Sequence, residues 1–233
     1  DYAAEWKWDG IRVQAVSDGG TRRLYSRTGE DISAAFPDVV ELMAFDGTLD
    51  GELLVRRDQD IASFGDLQQR LNRKTVSPKM LRDYPAFMRC YDLLQIEDDD
   101  LRGRPFVERR QRLEGFVERL DPARFDLSPL VGFENWQELE TVRAAPPHPI
   151  IEGVMLKQWD SPYLAGRPKG PWFKWKRDPH TVDAVLMYAQ RGHGKRSSFY
   201  SDYTFGVWSG AEGAEELVPV GKAYFGFTDE ELR

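Results

Sequence analysis

The stretch Glu5-Trp6-Lys7-Trp8-Asp9-Gly10-Ile11-Arg12-Val13-Gln14-Ala15-Val16 decides how the rest of the chain is read. Ile11, Val13 and Ala15 alternate with Arg12 and Gln14, which predicts a strand with one buried face. The residues before it, from Asp1, are also strand-like, and Asp9-Gly10 reads as a tight turn between the two. Within the turn sits the pattern Lys-x-Asp-Gly-x-Arg, Lys7 to Arg12. Taken alone, so short a pattern also fits a plain strand end with an exposed lysine, and its context has to decide. Chemically it suits covalent nucleotidyl transfer. An amine can attack an α-phosphate and form a phosphoramidate, splitting one hard transfer into easier ones. An ordinary lysine has a pKa of about 10.4 and is protonated at neutral pH, so neighbouring cations or a metal must lower it.

Residues of the required kinds recur downstream. Ser26-Arg27-Thr28-Gly29 follows a strand at Leu24-Tyr25 and suits a ribose or phosphate contact. Leu49–Val55 is a strand that puts Asp50 and Glu52 on one face, where two carboxylates suit a hydroxyl or Mg²⁺. Phe87–Leu94 is a strand in which Tyr91 follows Arg89 on one face and could stack on a base. Glu152 to Lys157 supplies a carboxylate and a lysine, with a strand over Val154–Lys157. Trp172–Lys176 is a strand with Lys174 and Lys176 on one face, placed to grip a triphosphate.

The remaining elements follow from local signals. Helical stretches are expected from Phe36 to Met43, after the Ser63/Asp66 cap, and after Ser77-Pro78. Pro105 opens an amphipathic helix with Phe106, Leu113, Phe116, Val117 and Leu120 near one face. Ala144–Ile150, rich in proline, reads as extended. Beyond Asp178-Pro179 the pattern changes to Val182–Tyr188, Phe199–Trp208 and Glu216–Ala223, an antiparallel β unit too short for a whole barrel. The boundary gives two domains, 1–178 and 179–233.

Composition bounds the rest. With 41% hydrophobic residues the 233-residue chain can build a real core, and no apolar run reaches the roughly 18 residues of a membrane span. Cys90 is the one cysteine, so no internal disulfide can form and a reducing compartment is expected. The net charge of −7 argues against a phosphate-binding surface, but distribution matters more than the total. Lys157 to Arg177 holds six cations, Arg167 among them, against the single acid Asp160.

In order, KWDGIR, SRTG, LDGEL, RCYD, EGVMLK and WFKWK resemble the motif series of ATP-dependent DNA ligases. That family belongs to the covalent nucleotidyltransferases, with RNA ligases and mRNA capping enzymes. The resemblance covers residues 5 to about 178; SRTGEDIS, FPD and WFKWKRDP are similar to DNA ligases more than to capping enzymes. The short spacing from Lys7 to Glu52 and the compact tail suggest a bacterial or archaeal type. The resemblance implies an α+β fold: an ATP-grasp-like nucleotidyltransferase (adenylation) domain of two antiparallel sheets flanked by helices, then the start of an OB-fold barrel. It implies Lys7 as the AMP-accepting nucleophile, Glu5 reading the adenine amine, and Arg12 and Arg27 on ribose and phosphates. Glu52 would meet the ribose hydroxyl and a metal, and Glu152 the metal. Tyr91 would stack on adenine, and Lys174 and Lys176 would hold phosphates and help lower the lysine pKa. ATP and Mg²⁺ (or Mn²⁺) are the implied cofactors and nicked double-stranded DNA the implied partner, for a monomer in the nucleoid-associated cytoplasm acting in repair or replication. An RNA ligase, a GTP-using capping-type enzyme and a non-catalytic nicked-DNA-binding module are the alternatives. Two departures stand out: no late R-x-D-K-like motif is recognisable before Glu231-Leu232-Arg233, and no DNA-binding domain precedes Lys7, as in a fragment.

Overall fold

A computed structural model describes the chain except residues 72, 167–168, 180, 195–196, 212, 225–227, 229 and 231–233. Arg167 and the terminal Glu231 to Arg233 therefore lie outside the described residues. Two compact units form, Asp1–Asp178 and Pro179–Arg233.

The first unit is built on two sheets. The smaller has strand order β1-β9-β10, from β1 (Tyr2–Trp8), β9 (Ile151–Gln158) and β10 (Trp172–Lys176). The larger runs β3-β2-β4-β6-β7, with β2 (Ile11–Asp18), β3 (Thr21–Ser26), β4 (Gly47–Arg57), β6 (Ala86–Ile96) and β7 (Asp99–Asp100). β5 (Asp60–Ile61) adds to β4, and β8 (Phe125–Leu127) adds to β6 in the sheets' parallel pairing. The Asp9-Gly10 turn is thus a crossing point: β1 ends in the small sheet and β2 begins in the large one. Gly10 is required there by close approach, since a Cβ would lie 2.5 Å from the Leu53 carbonyl oxygen.

Alternation on the large sheet separates core from site. Val13, Ala15, Leu49, Leu53, Met88 and Cys90 point into the main core, joined by Phe36, Leu113 and Phe116. The opposite face carries Arg12, Gln14, Asp50, Glu52, Arg89 and Tyr91. Helices flank the sheets: α1 (Pro37–Val40), α2 (Phe64–Gln68), α3 (Pro78–Asp83), α4 (Phe106–Val117) and α5 (Trp136–Ala144). Ser63 and Ser77 cap α2 and α3 by accepting from Asp66 N and Met80 N.

Four elements differ from expectation. The helix expected over Phe36 to Met43 is a single turn, α1, followed by turns. The extended reading of Ala144–Ile150 does not hold: Ala144 is the last residue of α5, a helix capped by Asn135 on Glu138 N, and the residues after it form bends and a turn closed by Ile151 N donating to the His148 carbonyl at 3.1 Å, where the prolines favour turns as readily as extended chain. Two second-unit strands are displaced, β11 being Val185–Arg191 and β12 Tyr200–Ser209, with β13 Glu216–Ala223 as expected. They pair as an antiparallel β11-β12-β13 sheet. Among the described residues no helix is long and apolar enough to cross a membrane.

Candidate active site

A cleft of about 1870 Å³ opens in the first unit, and strand register writes its walls. On the small sheet Lys7, Gly153 and Lys176 stand in one cross-strand row, and Glu5, Met155 and Lys174 in the next. On the large sheet Arg12, Glu52, Arg89 and Asp126 stand in one row. Lys7, Glu5, Arg12, Arg27, Glu52, Tyr91, Lys174 and Lys176 all line the cleft. Eight cations line it against three acids among the described residues, which answers the objection from net charge: the acidity lies elsewhere.

Glu152 reaches Lys7 through an irregularity. Lys7 pairs with Gly153 and Trp8 with Ile151, so Glu152 is the extra residue of a bulge. Its carboxylate takes an ion pair from Lys7 on one oxygen and from Lys176, at 3.0 Å, on the other. Gly153 makes the bulge possible. Its φ is +146°, and a Cβ would fall 2.2 Å from the Trp175 carbonyl oxygen. Burial alone would lift the Glu152 carboxyl, but the hydrogen bonds from Lys7 and Lys176 outweigh it and hold it below the usual range. Asp9 is shifted the other way, raised by burial and by the nearby charge of Glu152.

Glu52 lies across from this pair and has no hydrogen bond or ion pair with another described residue. Desolvation pushes its carboxyl up to about 8 from an ordinary 4.5; Lys7 and Arg12 oppose this, and Asp50 and Asp9 add to it. A carboxyl raised in the folded state stabilises the fold while protonated. Its contribution is complete below about 4.5 and is lost as pH rises through 8. The melting temperature should therefore fall between pH 6 and 9 more steeply in the unmodified protein than in Glu52→Gln. Parallel profiles from thermal melts would contradict this.

Arg12 is held by Asp50, with Nε and Nη2 at 3.1 and 2.6 Å from its two oxygens. Burial opposes the guanidinium charge and Asp50 more than restores it. The pairing of Asp50 with Glu52 as two free carboxylates does not hold. Asp50 is fully buried and committed to Arg12, to the Tyr163 hydroxyl at 2.8 Å and to the Tyr91 hydroxyl at 3.2 Å. Tyr91 lines the cleft, and Arg27 and Lys174 reach it with no partner among the described residues. Glu5 is 2% exposed and neutralised by Lys157 and Arg110, at 2.5 and 3.1 Å.

Sequence reasoning missed Tyr163, Arg110 and the Asp92–Arg109 pair. Tyr163 lies outside the motifs, in the segment after β9 that overhangs the cleft. The arginines sit at Arg109 and Arg110, three and four residues after Phe106, on the helix face that buries Leu113 and Phe116. Charges on a core-facing stripe were the available signal. Among the described residues no three potential metal ligands cluster. Glu52 and Glu152 both act on Lys7, and one or two carboxylates with substrate phosphates completing the shell are what commonly holds Mg²⁺.

Residues 1–176 match the family model described as ATP dependent DNA ligase domain. A probable DNA ligase of Koribacter versatilis is 35% identical, the match covering 98% of this chain and 43% of that protein. DNA ligase 1 of Korarchaeum cryptofilum is 32% identical over 99% of this chain and 42% of its own length. The chain thus spans less than half the length of these relatives. The structure of mycobacterial DNA ligase D complexed with ATP and MES superposes with a TM-score of 0.62 at 26% identity, covering 99% of this chain and 69% of that one. The fold is accordingly α+β, a nucleotidyltransferase pair of sheets followed by the strands that begin an OB fold. The chain belongs to the ATP-dependent DNA ligase family.

Proposed function

We propose that this chain is the catalytic core of a DNA ligase that seals 5′-phosphate/3′-hydroxyl nicks through a covalent lysyl-AMP intermediate. One observation carries this: Lys7 is the last residue but one of β1, beside the junction of the two sheets, ion-paired with the Glu152 that Lys176 also holds and acting on Glu52, in a cleft rich in cations. Mere nucleotide or DNA binding needs no lysine so placed. Residues 1–178 then form the adenylation domain and 179–233 part of the OB domain.

In the first step the Lys7 ammonium loses a proton to solvent, its Nζ lone pair attacks the α-phosphorus of ATP, a P–N bond forms, the bond from that phosphorus to the α,β-bridging oxygen breaks, and pyrophosphate leaves. The ion pair with Glu152 occupies the amine, so Lys7 gives it up before it attacks. Lys174 and Arg27, unpaired among the described residues, are the cations free to receive phosphate oxygens, and Lys176 joins them when Glu152 is drawn away. Glu52 and Glu152 would hold Mg²⁺ or Mn²⁺, which supplies charge neutralisation at the phosphates when bound. AMP then passes from Lys7 to the 5′-phosphate of the nick, breaking the P–N bond. The 3′-hydroxyl attacks that activated phosphate and AMP leaves. Glu5 reads the adenine amine, Tyr91 supports the base, and Arg12, fixed by Asp50, meets the ribose and DNA phosphates. The ATP named in the structure of the mycobacterial relative supports the choice of nucleotide. The reading places a monomer at the nucleoid in the cytoplasm, a reducing compartment with which the free, buried Cys90 is compatible.

The substrate test is to incubate the chain with ATP and Mg²⁺ and a nicked duplex, in DNA and RNA forms. AMP-capped and sealed DNA strands are the expected products on a denaturing gel. A chain that loads AMP but transfers it to the RNA duplex alone would overturn the DNA reading.

A further inference from the structure

Arg110 lies on α4, outside the walls of the cleft, yet its side chain is only 5% exposed and holds a cleft residue in place. Its Nη1 donates to Glu5 Oε1 at 3.1 Å and to the Ser128 carbonyl at 2.7 Å, and its Nε donates to Glu114 at 2.8 Å. The other Glu5 oxygen meets the Lys157 ammonium at 2.5 Å. That ammonium is itself fixed, 4.6–4.8 Å from the rings of Tyr91, Phe106 and Trp172 and donating to the Tyr91 carbonyl at 3.1 Å. Burying a carboxylate beside two cations costs desolvation.

A lysine alone anchors one oxygen and leaves the carboxylate plane free to turn. A second cation on the second oxygen fixes the plane. Plane orientation matters for telling bases apart: adenine presents an exocyclic amine, a donor, where guanine presents a carbonyl, an acceptor. A carboxylate in fixed orientation attracts the first and repels the second. We propose that Arg110 is a positioning residue for nucleotide choice, holding Glu5 so that it accepts from the adenine amine and rejects a guanine carbonyl. This rests on the proposed role of Glu5 as the base reader. The choice between ATP and GTP is thereby set partly by a helix residue that never meets the nucleotide.

The test measures ATP and GTP binding to the intact chain by calorimetry, for the unmodified protein, Glu5→Gln, Arg110→Met and Arg110→Lys. Glu5→Gln should narrow the ATP-over-GTP ratio. Arg110→Met should also narrow it, by roughly tenfold, the size of one charge-assisted hydrogen bond, chiefly through weaker ATP binding. Arg110→Lys should fall between, because an amine cannot span Glu5, Ser128 and Glu114 together; it carries the test if Arg110→Met does not fold. An unchanged ratio in Glu5→Gln would sink both the base-reading role and the proposal. A narrowed ratio in Glu5→Gln with an unchanged one in the Arg110 variants, or equal losses for both nucleotides, would overturn the role of Arg110 alone.

Discussion

Lys7→Ala is expected to abolish covalent attachment of AMP while leaving ATP binding within a few-fold of normal. In the proposed reaction the amine supplies the bond-forming atom, and the phosphate contacts proposed for Arg27, Lys174 and Lys176 and the base contacts proposed for Glu5 and Tyr91 do not need it. Removing Lys7 also frees Glu152 from one of its two partners, so affinity for the divalent cation should rise rather than fall. Lys7→Arg sharpens the test. A guanidinium keeps the charge and the ion pair with Glu152 but does not lose a proton to become a nucleophile. It should therefore bind ATP, fold normally and carry no AMP. Labelled ATP followed by denaturing electrophoresis separates these outcomes. Covalent label on either variant would mean that another residue is the acceptor.

The second large effect concerns stability. Asp92 and Arg109 are both fully buried, joined by two hydrogen bonds of 2.8 and 2.9 Å. The remaining donors of Arg109 go to the carbonyls of Arg104 and Ser161, at 2.5 and 3.0 Å. One guanidinium thus ties β6 to α4 and to the segment that carries Tyr163. Asp92→Leu leaves a positive charge buried without its partner, which typically costs about 3–5 kcal/mol. For a unit of this size that is a fall in melting temperature of about 10 °C. Arg109→Leu should cost a similar amount by stranding the carboxylate. The double replacement should be less destabilised than either single one, because it strands no charge. If both single variants melt with the unmodified protein, the pair holds nothing together. If the double variant is the least stable, packing rather than charge governs the site.

The sequence made legible those features in which chemistry restricts residue type. A lysine nucleophile beside Asp-Gly, carboxylates spaced by two, and paired lysines on a strand are recognisable because few residues do those tasks and the strand period fixes their faces. The structure gathers Lys7, Glu5, Arg12, Arg27, Glu52, Tyr91, Lys174 and Lys176 along one cleft. The bulge at Glu152 was not legible, since register depends on which strand pairs with β9 and nothing local announces that partner. Asp50 was misjudged for a related reason. Its spacing from Glu52 gives the face but not the neighbour, and Tyr163, 113 residues away, is among the groups that occupy it. Arg109 and Arg110 went unnoticed because arginine on a helix reads as solvated until its partners are seen. In the second unit, Val182 is exposed and stays outside β11, so apolar alternation began the strand too early.

The central claim is that Lys7 forms a covalent bond to AMP. Its most direct test is the intact mass of the purified chain after incubation with Mg²⁺ and either ATP or GTP, followed by proteolysis and location of the modified peptide. The predicted result is a gain of one AMP from ATP and none from GTP, on the peptide containing Lys7, lost in acid and kept in base as a phosphoramidate should be. A stable adduct on any other residue, or a guanylate on Lys7 in place of AMP, would contradict it.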